Sequence, residues 1–175
     1  MELETERLIL RSFREEDLDL MAPLMADAEF MQYSLGVYDR DQTAAFVDKI
    51  ISWERAGKPS LLAVELKPER PLLGYCGFFH HPTEFPGEVE IGYRLHPAYR
   101  NRGLITEAAH AVRDYAFRKL KLARVISLIH PANIPSRRIA EKMGMTFEKE
   151  ITFRGFPTRV FAITQGQWLA KRGAG

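Results

Sequence analysis

Tyr99-Arg100-Asn101-Arg102-Gly103 stands where a strand pattern gives way to a helical one. Such a junction gathers unpaired backbone N–H groups and the positive end of a helix dipole at one point, which suits an anion. Gly103 lets the backbone approach a phosphate with no Cβ in the way, and Arg100 and Arg102 can add charge-assisted hydrogen bonds, so a pyrophosphate fits there. The same residues also describe a capped helix with two solvated arginines, and the loop alone does not separate the two. Further on, Asn133-Ile134-Pro135-Ser136 opens a short helix after another strand. Asn133 either caps that helix or presents its amide to a ligand lying between strands.

Other residues with chemical potential carry less. Cys76 sits in an apolar run with no basic neighbour in sequence, so it reads as a buried thiol rather than an activated nucleophile. His80 and His81 point to opposite faces if extended, and the other histidines show no ligand spacing with Cys or carboxylates, so no metal site is expected. Arg137, Arg138 and Lys142 read first as a solvated basic helix face, with a contact to an anionic group as the alternative. The Gly-Lys-Ser/Thr ending of a phosphate-binding P-loop is absent.

These residues need elements to position them. Thr5 to Phe13 alternates, with Leu8 and Leu10 on one face and Arg7, Ile9 and Arg11 on the other, and predicts a strand. A helix opens near Glu15-Glu16-Asp17 and carries Leu18, Met21 and Met25. A second runs from about Asp41 to Arg55, with Phe46, Ile50 and Trp53 on one side and Gly57 as its stop. Ser60 to Leu66 and Leu72 to Phe79 form a hairpin around a Pro-rich spacer, and Val89 to Leu95 alternates as a third antiparallel strand with Glu90, Gly92 and Arg94 on one face. Gly92 reads as a bulge or as a packing choice. From Leu104 to Leu120 the period is helical, with Leu104, Ala108, Ala111, Val112 and Tyr115 on the apolar side and Phe117 on the polar one. A strand over Arg124 to His130, a helix over Pro135 to Met143 stopped by Gly144, and a strand pair from Phe147 to Ile163 complete an α/β order.

The 175 residues suit one domain, taken as 1–165, with 166–175 composed like a frayed tail. A net charge of +2 argues against bulk attraction to nucleic acid, one cysteine is compatible with a reducing compartment, and the acidic N-terminus has no long apolar run. A cytoplasmic protein with no nucleic-acid or membrane partner is expected.

The chain resembles the GNAT N-acetyltransferases, and within them the RimJ/RimL-like branch of ribosomal-protein N-terminal acetyltransferases. The resemblance covers nearly the whole chain. It is carried by Thr5-Glu6-Arg7-Leu8-Ile9-Leu10-Arg11, by Val89-Glu90-Ile91-Gly92-Tyr93-Arg94-Leu95, by the loop with Thr106-Glu107-Ala108, and by Asn133-x-x-Ser136 leading to Glu141-Lys142-Met143-Gly144-Met145. It implies the GNAT fold: a mixed, mostly antiparallel central sheet with splayed middle strands and flanking helices. It also implies acetyl-coenzyme A as cosubstrate, bound through Leu95, Arg100, Asn101, Arg102, Gly103, Leu104, Ile105, Thr106, Asn133 and Ser136. Ile105 departs from the family's Arg/Gln-x-x-Gly-x-Gly/Ala signature, where Gly or Ala is usual.

Acetyl transfer needs a proton removed from the amine, an oxyanion stabilised and a proton returned to the thiolate. The resemblance implies Glu90 as the base, with Glu88 the nearest substitute; otherwise Glu90 is an exposed carboxylate paired with Arg94 or another cation. Many relatives supply the acid from a Tyr where this chain has Ala140, and the RimL-like branch points to Ser136 instead, whose other role is to cap the helix. The acceptor is an amine, either a peptide N-terminus or a small molecule, shaped in relatives by segments matching Met31 to Asp39 and Phe153 to Thr158. Many relatives form homodimers, to which Phe153, Phe156 and Phe161 can contribute. The competing class is a non-catalytic acyl-coenzyme A binding or regulatory module.

Overall fold

In the computed structural model, which describes residues 1–173, the chain forms β1 (Glu2–Glu4), β2 (Leu8–Ser12), α1 (Leu18–Met25), α2 (Arg40–Arg55), β3 (Leu61–Leu66), β4 (Leu72–His80) and β5 (Val89–Leu95). It continues as α3 (Leu104–Arg118), β6 (Arg124–Ile129), α4 (Ile134–Lys142), β7 (Thr146–Phe153), β8 (Phe156–Thr164) and α5 (Gln165–Gly173). The strands form an open mixed sheet in the order β1-β2-β3-β4-β5-β6-β8-β7. The chain divides into two compact units, residues 1–77 with 93–108 and residues 78–92 with 109–175.

In the first unit, β1, β2, β3 and β4 pair antiparallel, with Leu10 opposite Leu3 on one side and Val64 on the other. The strand expected from Thr5 begins only at Leu8. Thr5 turns the chain, its N–H bonding to Leu8 O at 3.0 Å while its Oγ1 accepts the Leu8 N–H at 3.0 Å. Leu8 and Leu10 are fully buried as their alternation requires. Arg11, expected on the outward face, is buried as well, and its guanidinium is neutralised in place. It donates to both Asp17 oxygens at 2.7 Å and to Glu65 Oε1 at 2.6 Å, and Arg70 closes the group on Glu65 Oε2 at 2.6 Å. The hydrogen bonds to Asp17 raise the guanidinium's pKa against the opposing effect of burial. Asp39 and Gln42 form a capping box at the start of α2. The buried seam of α2 is Thr43, Val47, Ile50 and Ile51, rotated from the expected face so that Phe46 and Trp53 are half-buried.

In the second unit, β8 lies between β6 and β7 and pairs antiparallel with both. Ile126, Val160 and Ala162 form a core cluster against which Leu128 and Ile151 pack. Gly144 ends α4 with φ +88°, as its position predicts. Phe117, expected on the polar side of α3, is fully buried, and its ring centroid lies 5.4 Å from that of Trp168. That contact also corrects the frayed tail. Residues 165–173 are helical because Trp168 is drawn into the core, where its indole N–H donates to Asp114 Oδ1 at 2.9 Å. Residues 174 and 175 lie outside the described residues.

Candidate functional site

The loop before α3 belongs to the first unit. Pro97–Tyr99 make one 3-10 turn, capped by His96 Nδ1 accepting the Ala98 N–H at 3.1 Å. Asn101 and Gly103 then adopt φ +60° and +76°, a left-handed pair that reverses the chain into the helix. Buried Leu104 anchors the first turn, while Asn101, Arg102 and Gly103 are exposed. The Glu107 N–H bonds to Gly103 O at 3.0 Å. The N–H groups of Gly103, Leu104, Ile105 and Thr106 precede that bond and have no helical carbonyl to meet, an arrangement that suits an anion. Ile105 and Thr106 are half-buried.

The loop is fastened by a residue that motif reasoning did not assign to the site. Arg7 donates from Nε to Glu107 Oε2 at 2.7 Å and from Nη1 to Arg102 O at 2.9 Å, while its backbone N–H and the Thr5 hydroxyl reach Glu107 Oε1 at 2.9 and 2.6 Å. Burial alone would raise the Glu107 pKa, but these donors and the Arg7 charge bring it below the usual carboxylate value. Arg100 is also a brace. Its guanidinium holds Glu29 Oε1 at 3.1 Å, Glu29 O at 2.9 Å and Leu95 O at 3.3 Å. Three of its five N–H groups are thus engaged within the protein, one of them on the carbonyl of Leu95, a residue named above for a coenzyme A contact. Arg102, lying over the Tyr99 ring at 5.5 Å, is the exposed arginine of the loop.

Glu90 belongs to the second unit. Its side chain is 12% exposed, and its partner is His81, with Nε2 2.5 Å from Glu90 Oε2. Oε1 accepts the Leu128 N–H at 3.4 Å. The anticipated partner Arg94 is engaged elsewhere, on Tyr75 Oη, Phe30 O and Gln32 O, and the substitute Glu88 is paired with Arg124. β5 and β6 are in parallel register at Glu90 and Ile126, and the Ser127 hydroxyl donates to Ile91 O at 2.7 Å. Gly92 is a packing choice, because a Cβ there would stand 2.6 Å from two carbons of the Phe79 ring.

His81, weighed above only as a metal ligand, follows β4 and meets Glu90 across the neighbouring strand β5, a relation that single-strand alternation does not reveal. The Phe79 ring stacks on it at 6.2 Å, and the rings of Phe153 and Phe85 meet it edge-on at 5.2 and 6.3 Å. Its Nδ1 is buried with no hydrogen-bond partner among the described residues.

Asn133 takes its capping role, its Oδ1 accepting the Ser136 N–H at 3.2 Å, which leaves the amide nitrogen as the group it has for a ligand. Ser136 is half-buried in the first turn of α4. In the first unit, Cys76 is fully buried and burial pushes its thiol far above the usual range, so it is no nucleophile. Of the three phenylalanines noted for a dimer contact, Phe161 is buried, Phe153 packs with His81 and Phe85, and Phe156 is exposed. No helix of the described residues is long and apolar enough to cross a membrane.

Residues 7–146 match the family model of the acetyltransferase (GNAT) domain. The uncharacterized N-acetyltransferase YnaD of Bacillus subtilis is 33% identical over 175 residues, spanning 96% of this chain and 99% of that protein. The crystal structure of a GNAT-family acetyltransferase from Bacillus anthracis aligns with a TM-score of 0.81 at 31% identity, covering 95% of this chain and 99% of the other. The ribosomal L7/L12 alpha-N-protein acetyltransferase RimL, solved in complex with coenzyme A, aligns with a TM-score of 0.79 over 94% of this chain and 98% of its own, and at 18% identity shows likeness of fold.

Proposed function

Since the chain belongs to the GNAT acetyltransferase family and is an acyltransferase, we propose that it moves an acetyl group from acetyl-coenzyme A directly to an amine within a ternary complex. The observation that carries the cosubstrate is the start of α3: successive N–H donors, a glycine with φ +76° and no Cβ, and exposed Arg102 match the charge and size of a pyrophosphate. Bound there, acetyl-coenzyme A supplies an acetyl thioester. The chain's part is to hold and move protons. Glu90 takes the proton that the amine loses, Ser136 donates toward the sulfur, and Asn133 offers its amide nitrogen to the ligand. The buried Cys76 supports direct transfer over an acyl-enzyme. The family match runs through segments of both units, which supports residues 1–165 acting as one acetyltransferase domain.

For the acceptor, a peptide α-amine is the first class to test. Its reference pKa of about 7.7–8.0 releases a proton near neutrality more readily than a lysine at about 10.4. RimL, of similar fold, is an alpha-N-protein acetyltransferase. The test has two stages: melting-temperature shift with acetyl-coenzyme A, then release of free thiol against N-terminal peptides, polyamines and aminoglycosides. A raised melting temperature with thiol release on peptides is expected. Absence of any shift at millimolar acetyl-coenzyme A sinks the proposal, and binding with no turnover on any amine identifies a non-catalytic module.

A further inference from the structure

We infer that His81 is the positioning residue of the proton-accepting centre: an N–H fixed at Nε2 holds the Glu90 carboxylate in one orientation. The inference rests on the acetyltransferase reading above for what the carboxylate does, and on geometry for how it is held.

Nε2 lies 2.5 Å from Glu90 Oε2, and Nδ1 is buried with no partner among the described residues. The tautomer with its proton on Nδ1 would strand that N–H and set the Nε2 lone pair against a carboxylate, whereas the Nε2–H tautomer strands no donor. The surroundings therefore choose the tautomer, and the tautomer makes His81 a donor to Glu90.

The ring cannot easily turn away. Phe79 stacks on it with an interplanar angle of 13°, Phe153 and Phe85 stand edge-on at 77° and 73°, and the His81 carbonyl accepts the Phe85 N–H at 2.8 Å. Phe79 in turn occupies the space left by the missing side chain of Gly92. A nearby carboxylate, Glu84, is paired with Arg154 at 3.3 Å, and Glu90 is the one whose oxygen lies within hydrogen-bond reach of His81.

In the transfer step the amine nitrogen forms its bond to the carbonyl carbon, and the carbon–sulfur bond breaks with its electron pair leaving on sulfur. The proton lost by nitrogen goes to Glu90, the thiolate takes a proton from the Ser136 hydroxyl, and the proton on Glu90, passed through solvent, restores Ser136. The His81 proton stays on Nε2 throughout, so His81 acts through Glu90 and touches no reacting atom.

Two measurements on the full chain test this. Nitrogen-15 and proton NMR of the histidine side chains should show His81 with Nε2 protonated and Nδ1 bare, and its Nε2–H proton shifted far downfield by the short bond to the carboxylate, a shift that Glu90→Ala should remove. A protonated Nδ1 in the wild type, or a shift untouched by Glu90→Ala, overturns the inference. Kinetically, His81→Leu should lower kcat by roughly 10- to 100-fold, the usual cost of losing an orienting partner. KM for acetyl-coenzyme A and the melting shift it causes should stay unchanged. His81→Gln, which keeps an N–H donor at the position of Nε2, should recover most of the loss. Equal impairment of the two variants at equal melting temperature, or His81→Leu within twofold of wild type, also overturns it. If the wild type acetylates no amine, the acetyltransferase reading fails, and the NMR result alone decides the His81–Glu90 pair.

Discussion

Gly92 and Phe79 share one space: the ring lies where a side chain on residue 92 would be, with two ring carbons 2.6 Å from the Cβ position. Gly92→Ala must therefore displace the ring that stacks on His81. Overpacking of this kind costs about 1–3 kcal/mol. The expected outcome is a lowered midpoint in urea together with reduced kcat, with much of both regained in the double variant Gly92→Ala, Phe79→Leu. Full turnover in Gly92→Ala alone would separate Phe79 from the site.

The two arginines of the loop before α3 should behave differently. Arg102→Ala removes an exposed cation, and is expected to weaken coenzyme A binding roughly tenfold, about 1.4 kcal/mol, with little change in melting temperature. Arg100→Ala releases Glu29 and Leu95 O, and should lower melting temperature as well as affinity. Calorimetric titration and thermal melts distinguish them.

Glu107 fastens Thr5 and Arg7 to α3, and its folded-state pKa is depressed. Its contribution to stability is present in full above the unfolded carboxylate value of about 4.3 and is lost as pH falls through the lower folded value. The melting temperature of Glu107→Gln should thus lie below that of wild type by a constant margin above about pH 5, and the margin should close as pH drops below 4.3. A margin that persists at low pH would show that shape rather than charge is responsible.

Asp17→Asn leaves the buried Arg11 guanidinium with a neutral partner in place of a bidentate carboxylate. Breaking a buried pair on one side costs about 3–5 kcal/mol, measurable by urea denaturation. A loss below about 1 kcal/mol, the range of exposed pairs, would mean that water reaches the group.

Trp168→Ala removes the residue that holds α5 and covers Phe117. Truncation of a buried aromatic costs about 3–5 kcal/mol, so the variant should unfold at markedly lower denaturant, with hydrogen exchange accelerated over residues 165–173.

What could be read in advance follows from where the information lies. The alternation from Val89 to Leu95 and the helical period from Leu104 are properties of a few consecutive residues, and β5 and α3 stand where those patterns put them. Gly103 and Gly144 likewise announce themselves, since a positive φ is demanded by the turn at each. Local pattern failed where a side chain's partner lies on another element. Arg11 had the spacing of an outward-facing residue, yet Asp17 and Glu65 draw it inward. His81 meets Glu90 across neighbouring strands, Phe117 sits on a polar-looking stripe because Trp168 arrives fifty residues later, and Arg7 reaches Glu107 and Arg102 O from the far N-terminus. Periodicity tells which face is buried; it does not tell what waits on the other side of that face.

The insertion of β8 between β6 and β7 sets an order on synthesis. While the chain emerges, β6 has an open edge on this side and β7 has no neighbour, because the strand that joins them comes out last. The apolar edge of β6, Val125 to Ile129, stays open until residue 164 has cleared the ribosome, and an open strand edge is a template for misplaced pairing. The polar, largely exposed β7, made before its partner, is well suited to that wait.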